Sequence, residues 1–437
     1  MTGSTRHHVV IVGGGVAGLE IASALGRRWR GGSAATDKPV VTLVDCDSAH
    51  VWKPMLHTIA AGTRDVSQQQ TTYIAQAKDA GFTFQPGALC GLDRRVREIA
   101  LAPLHAPDGR LLIPARRLPY DTLILALGSQ ANDFGTPGVA EHCWKIDSRL
   151  QADAFNQEVR LRILQCLAQD MSLSIAIVGG GATGVELAAE LVQLTELAVG
   201  YGARGLAERI SITLIESSPG LLAAFPDDIS AAARARLEAL GIRVMVGTRV
   251  SAAEPDAFVL GDGSRVPAAL KVWAAGVKGA ELQRGLDGLE VGRGNQLLVR
   301  PSLQTTLDAR IFALGDCASL TLPGAARPLA PTAQVAHQQA QHVIRHLPDA
   351  IERGAPIPDM AYRNFGALVS LGDYDAFGSL GKFGLFKGVT FRGTLAQLSH
   401  AWLYRSHQAR LHGFWRGGLM WLVDRINSRI RARIRLD

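Results

Sequence analysis

Apolar residues recur along this chain in two rhythms. Short runs at 9–12, 40–44, 123–127, 173–178, 210–215, 271–275 and 311–314 are almost wholly apolar and read as buried strands. Two stretches with apolar positions three and four apart, "GVAGLEIASAL" and "GATGVELAAELVQL", read as helices packed on a sheet. Strands alternating with helices in this way predict an α/β fold.

Two later segments break that pattern. "PTAQVAHQQAQ" (331–341) places Gln334, Gln338 and Gln341 at i, i+4 and i+7, along one helical face. Small residues (Ala333, Ala336, Ala340) form the stripe beside it, which is poor core material and points to a ligand or to solvent. From residue 391 onward, Trp402, Leu403, Leu411, Phe414, Trp415, Leu419, Met420, Trp421, Leu422 and Ile426 interleave with arginines. Arginine on one face and Trp/Leu on another is the pattern of a helix lying in a membrane interface.

The two helical stretches each follow a strand and a glycine turn. The first is Gly13-x-Gly15-x-x-Gly18 and the second Gly179-x-Gly181-x-x-Gly184. Glycines at this spacing allow a tight turn and a close backbone approach, so that a pyrophosphate can rest on the helix N-terminus. A purely structural turn is the rival reading, but the strand before and the helix after are both in place. The next strand of each set ends on an acid, Asp45 and Glu216, suited to a ribose hydroxyl pair. Ser217 and Ser218 follow Glu216 with no arginine, which favours NADH over NADPH. Both spacers to the acid are long: "RRWRGGSAATDKP" reads as a surface insertion, and 192–209 leaves room for further helical turns. "LDARIFALGDCAS" delivers Asp316 to the end of a strand, where it can accept from a ligand hydroxyl or cap a helix.

Composition narrows the picture. A chain of 437 residues, 47% apolar and 19% charged, is long enough for two or three folded domains. Its formal charge of +7 admits acidic lipid, nucleic acid or phosphorylated ligands. Nine arginines (392, 405, 410, 416, 425, 429, 431, 433, 435) face only Asp424 and Asp437 in 391–437, so much of the excess sits there. The five cysteines (46, 90, 143, 166, 317) are scattered with no CxxC, against a disulfide framework or zinc site. No apolar h-region precedes the first strand and no run of about 18 apolar residues occurs, so a cytosol-facing chain that does not span a bilayer is expected.

On "IVGGGVAGLE", "AAGT", "ALGS", "GGGATGVELAAEL", "WAAGV", "GDCA" and above all "PTAQVAHQQA", the chain resembles the flavin-dependent disulfide-reductase superfamily. Within it, the resemblance is to type II, non-proton-pumping NADH:quinone oxidoreductases, over nearly the whole length. That implies two interleaved Rossmann-type domains, one binding FAD and one NADH, plus a C-terminal amphipathic membrane-docking segment. The expected boundaries are 1–130 and 276–385 for the FAD domain, 131–275 for the NADH domain and 386–437 for the docking segment.

The resemblance implies FAD contacts from Gly13, Gly14, Gly15, Val16, Ala17, Gly18, Asp45, Cys46, Lys53, Leu89, Ala126, Gly128, Asp316, Ala333, Gln334 and His400. It implies NADH contacts from Gly179, Gly181, Gly184 and Glu216. Gln334 and Gln338 would line the quinone pocket, where a carboxamide donates to a quinone oxygen without adding charge. Glu186 resembles the family glutamate near the nicotinamide and quinone sites, with a raised pKa for proton relay; interaction with the helix dipole is its rival reading. Lys53 is either over the flavin or solvated, His337 is expected to be packed, and His400 stands where relatives often carry lysine.

The first helix has no redox CxxxxC, and no cysteine follows Cys317, which argues against disulfide-reductase and sulfide:quinone chemistry. The expected function is hydride transfer from NADH to FAD and two electrons onward to ubiquinone or menaquinone. A soluble FAD-dependent NAD(P)H reductase with another acceptor is the alternative. The expected partners are the quinone and the bilayer surface at the cytoplasmic face of the inner membrane. A homodimer is compatible and nucleic acid is not expected, since no groove-reading module is present.

Overall fold

The computed structural model describes residues 6–31, 38–63, 70–106, 108–169, 171–200, 202–372, 374–380, 390–393 and 405–430. The described residues fall into two compact units, each drawn from separate stretches of chain. The first comprises Met1–Trp52, Gln70–Gln130 and Val277–Tyr362; the second comprises Lys53–Gln69, Ala131–Gly276 and Arg363–Asp437.

In the first unit five parallel strands lie in the order Ile311–Ala313, Thr122–Leu125, His8–Val12, Val40–Asp45, Thr83–Pro86. The central strand is covered on both faces, and Val9, Val10, Ile11 and Val12 are at most 3% exposed. This is why its sequence is an unbroken apolar run rather than an alternating one. The helix Val16–Trp29 follows it and packs against the helix Ala333–Arg353. An antiparallel trio, Leu89–Asp93, Glu98–Leu101 and Arg116–Pro119, is inserted before the strand Thr122–Leu125 returns beside the first.

The second unit repeats that plan. Its parallel strands run Arg243–Met245, Ile210–Ile215, Leu173–Val178, Leu270–Trp273, and Trp144 adds a parallel bridge to Val272. An antiparallel trio, Val250–Ala253, Ala257–Leu260 and Arg265–Pro267, again precedes the returning strand. Phe258 of that trio packs 6.4 Å from Trp273, ring to ring, in the core. The spacer after the second glycine turn is helical, as Ala182–Gly200 runs long and is followed by Leu206–Arg209.

This unit also holds an antiparallel sheet of Gly366–Leu371, Asp375–Leu380 and Thr390–Arg392, and the helix Phe414–Ile430. Among the described residues no helix is long and apolar enough to cross a membrane. Part of the insertion after the first glycine helix, 32–37, lies outside the described residues.

Candidate functional site

At the end of the central strand of the first unit, Gly13 turns the chain with φ +103°, a conformation that L side chains rarely adopt. A Cβ at Gly13 would strike the carbonyl of Ala126, and one at Gly18 would overlap the carbonyl of Gly13. Around Gly15 the opposite holds: nothing comes within 4 Å of where its Cβ would stand. Val16 and Ala17 open the helix beyond it.

Asp45 closes this turn. Its Oδ2 accepts from the Gly14 N–H at 2.5 Å and its Oδ1 from the Asp47 N–H at 2.7 Å. Burial pushes the Asp45 carboxyl up from its ordinary range, against those two donors. Two residues with no signal in the motif hold the other side of the same glycine. Tyr73 Oη donates to the Gly14 carbonyl at 3.0 Å, and His50 Nδ1 lies 2.9 Å from it. The Tyr73 ring occupies the space a Gly14 side chain would need.

Asp316 sits in the 3-10 turn Gly315–Cys317, just past the strand Ile311–Ala313. Leu314, not Asp316, occupies the capping position of that turn, and Asp316 accepts from Ser129 Oγ at 2.7 Å. Gly128, beside Ser129, takes φ +69° with open space at its Cβ position. Leu89 is buried at the start of the antiparallel trio, whereas Cys46 is exposed.

The second unit builds the same turn from different residues. Gly179 has φ +119°, and its Cβ would stand 2.5 Å from the Ala274 carbonyl oxygen. Gly184 is pressed against the Gly179 carbonyl, and Gly181 faces open space. Glu216 accepts from the Gly180 N–H and the Ser218 N–H, each at 2.6 Å. Burial alone would raise the Glu216 carboxyl, but the N–H groups of Ser218 and Gly180 outweigh it and hold it below the usual range. Here the Gly180 carbonyl accepts from the backbone N–H of Leu222 at 2.8 Å.

Both turns therefore fit a dinucleotide. Each leaves open space at a helix N-terminus, where N–H groups and the helix dipole favour a pyrophosphate, and each sets a carboxylate where ribose hydroxyls can donate to it.

A buried carboxyl lies in the second unit on the helix Ala182–Gly200. Glu186 is 6% exposed; its Oε1 accepts from the Ser370 N–H at 3.0 Å, and His57 Nδ1 stands 3.3 Å from its Oε2. Burial, with the charge of Glu190 adding to it and the Ser370 N–H opposing it, pushes Glu186 up to about 8. Glu190, one helical turn on, accepts from Thr63 Oγ1. His57 arrives on the short helix Leu56–Ala61, which packs against the Glu186 helix. That pairing is invisible in sequence, where "KPMLHTIAAGT" singles out Lys53 instead. Lys53 is half-buried at the start of the 3-10 turn Lys53–Met55.

In the first unit, the helix Ala333–Arg353 is capped by Thr332, whose Oγ1 accepts from the Val335 N–H at 3.3 Å. Gln334 and Gln338 are half-buried and Gln341 is exposed, so the stripe borders the buried face of its helix rather than filling it. Gln334 Oε1 accepts from Tyr362 Oη at 3.0 Å. The small stripe is used by the fold itself. Ala336 and Ala340 are buried, and Ala336 Cβ packs 3.3 Å from the ideal Cβ position of Gly315. Ala333 is half-buried at the helix start. His337 is not simply packed, for its Nδ1 lies 2.7 Å from Oε2 of the buried Glu20. His400 lies outside the described residues.

All five cysteines are free. Cys317 is fully buried and donates through Sγ to the Leu314 and Leu125 carbonyls at 3.1 and 3.4 Å; burial pushes its thiol up to about 11. Burial likewise takes Cys143 up to about 12. Neither is poised as a nucleophile, since the thiolate is the reactive form.

Known proteins share this architecture and sequence. The profile of the pyridine nucleotide-disulphide oxidoreductase family matches residues 7–340. A type II NADH:quinone oxidoreductase of Haemophilus influenzae is 39% identical over 448 aligned residues, spanning 98% of this chain and 99% of that protein. One from Staphylococcus saprophyticus is 28% identical over 385, covering 85% and 89%. The solved structure of NDH2 from Plasmodium falciparum in complex with NADH superimposes with a TM-score of 0.81 at 19% identity, over 98% of this chain and 99% of that one. The chain thus belongs to the pyridine nucleotide-disulphide oxidoreductase family and, within it, to the type II NADH:quinone oxidoreductases.

Proposed function

We propose that this enzyme oxidises NADH and reduces a membrane quinone without pumping protons, working at the bilayer surface. The observation that carries the reading is the pair of complete dinucleotide turns in one chain, each with its carboxylate in place. FAD, when bound, supplies the redox chemistry by accepting a hydride equivalent from NADH and passing two electrons to the quinone.

The protein's part is to bind, orient and manage protons. The turn from Gly13 to Gly18, with Asp45 and Asp316, holds FAD. Cys46, Lys53, Leu89, Ala126, Gly128 and Ala333 are assigned to the same cofactor. The turn from Gly179 to Gly184, with Glu216, holds NADH. Gln334 and Gln338 donate carboxamide N–H groups to the quinone oxygens. Glu186, largely protonated at neutral pH through its burial, keeps a proton at its carboxyl for the reduction.

Docking falls to the C-terminal helix Phe414–Ile430. Trp415 (82% exposed), Leu419, Leu422, Val423 and Ile426 are exposed and recur at helical spacing along one face. The arginine excess of 391–437 supplies the charge that anionic headgroups attract. On this reading the enzyme works at the cytoplasmic face of the membrane, where NADH and lipid-dissolved quinone are both within reach.

The test is NADH oxidation with a short-chain quinone by wild type, Gln334→Ala and Gln338→Ala, with reduction of the bound flavin followed separately in stopped flow. Loss of quinone turnover with flavin reduction intact supports the reading. Unchanged quinone turnover in both variants sinks the assignment of the stripe.

A further inference from the structure

The helix Ala333–Arg353 can present Gln334 and Gln338 to a ligand only if its rotation is fixed. We propose that Glu20 is the positioning residue for that face, its carboxylate in the helix Val16–Trp29 gripping the acceptor helix through His337 and Gln341. The proposal rests on the reading of Gln334 and Gln338 as quinone-holding groups.

One oxygen, Glu20 Oε2, receives both partners: His337 Nδ1 at 2.7 Å and Gln341 Nε2 at 3.1 Å. The two donors are four residues apart, one above the other on their helix. Glu20 is 4% exposed, so the carboxyl end of the contact is shielded from water, while His337 is half-buried and Gln341 closes it from the exposed side. A buried carboxylate beside an imidazole is a poor way to gain stability, since an apolar pair of similar shape serves as well; fixing register is the better-attested use of such a group. Apolar side chains tolerate a slide, whereas two donors on one oxygen do not. A slip of one residue would turn the helix by about 100° and carry Gln334 and Gln338 off their face.

The stripe end of the helix carries further polar ties. Besides Glu20, the Thr332 cap and Gln339 act on this segment; Gln339 is 1% exposed, and its Oε1 accepts from the Gly315 N–H at 2.6 Å. Farther along, Val343 and Leu347 are held by apolar burial, and Trp29 Nε1 donates to Glu352 at 2.8 Å. The helix pair therefore has other means of staying together, which leaves Glu20 the narrower task of setting its angle.

The experiment uses flavin-loaded enzyme and compares wild type with Glu20→Met, which keeps size but loses the acceptor, Glu20→Gln, which keeps one acceptor oxygen, and His337→Leu. Three quantities are read: KM and kcat for a short-chain quinone, the rate of flavin reduction by NADH, and the melting temperature. Glu20→Met and His337→Leu are expected to raise the quinone KM about tenfold, with flavin reduction near wild type, and Glu20→Gln to recover most of that loss. If Glu20→Met does not load flavin, His337→Leu carries the same expectation.

An unchanged quinone KM in the flavin-loaded variants overturns the proposal, as does an equal fall in flavin reduction. Gln334→Ala and Gln338→Ala measured alongside separate the two levels. If they raise KM while the Glu20 and His337 variants do not, only the positioning role fails. If they do not raise it, the quinone reading itself fails and takes the proposal with it.

Discussion

Nδ1 of His57 stands 3.3 Å from Oε2 of Glu186, with both side chains more than nine-tenths buried. The carboxyl is pushed from an ordinary 4.5 up to about 8 by burial. The folded protein therefore keeps a proton that the unfolded chain releases between those two values. Stability from this site is full below pH 4.5 and falls as pH rises through 8. The slope approaches about 1.4 kcal/mol per pH unit for one proton. Glu186→Gln should flatten that part of the stability–pH curve, read by urea unfolding from acid to mildly alkaline pH. An unaltered slope would mean that Glu186 is already ionised in the fold.

Gly15 and Gly18 should separate binding from folding. Gly15 has φ −66°, which any residue adopts, and open space around its Cβ position. Gly15→Ala is expected to fold with near-native stability yet retain little FAD, because the added methyl enters the space assigned to the pyrophosphate. Gly18→Ala must push the Gly13 carbonyl away, and should lose about 1–3 kcal/mol of stability as well. Flavin absorbance after gel filtration and a melt of each apoprotein decide the matter. Equal flavin content in Gly15→Ala and wild type would refute the assignment.

Thiol reagents should leave the enzyme active. Cys90 and Cys46 are exposed, though burial of its sulfur and the neighbouring Asp45 raise Cys46 to about 11 and slow it. Mass spectrometry after maleimide treatment should find Cys90 labelled first and Cys317 untouched until the protein is unfolded. Cys317→Ala should keep NADH:quinone turnover near wild type, since a thiol held protonated by burial offers no nucleophile. A large loss would reopen a redox role for that thiol.

The exposed face of the C-terminal helix gives a membrane prediction. Leu419→Asp combined with Ile426→Asp should leave flavin reduction by NADH unchanged and abolish flotation with anionic vesicles. Wild type should float with anionic vesicles more than with zwitterionic ones, and high salt should weaken it. Flotation of the double variant equal to wild type would exclude this face as the docking surface.

What could be read from sequence was what is local. Gly13, Gly15 and Gly18 with the strand before and the helix after lie within a few turns of chain, and Asp45 and Glu216 end the very next strand of their sets. The same economy hid the rest. Glu20 and His337 are separated by 317 positions, and no periodicity in either helix signals that they meet. His57 sits in a quoted motif but its partner comes from another helix, so nothing nearby distinguished it from Lys53. The alanines at 336 and 340 look like a surface stripe because smallness alone does not say which neighbour needs the space. Here it is the turn at Gly315 that lies against Ala336.

The two glycine turns differ in who grips the middle glycine. Gly14 is held at its carbonyl by side chains, Tyr73 and His50, whereas Gly180 is held there by the main chain of Leu222. A side chain is rewritten by one codon change; a main-chain amide survives every substitution except proline. The first turn is thus open to tuning by mutation at two positions outside its own motif. The second turn is shielded from drift, and inheritable variation in its grip must come through the shape of the loop itself.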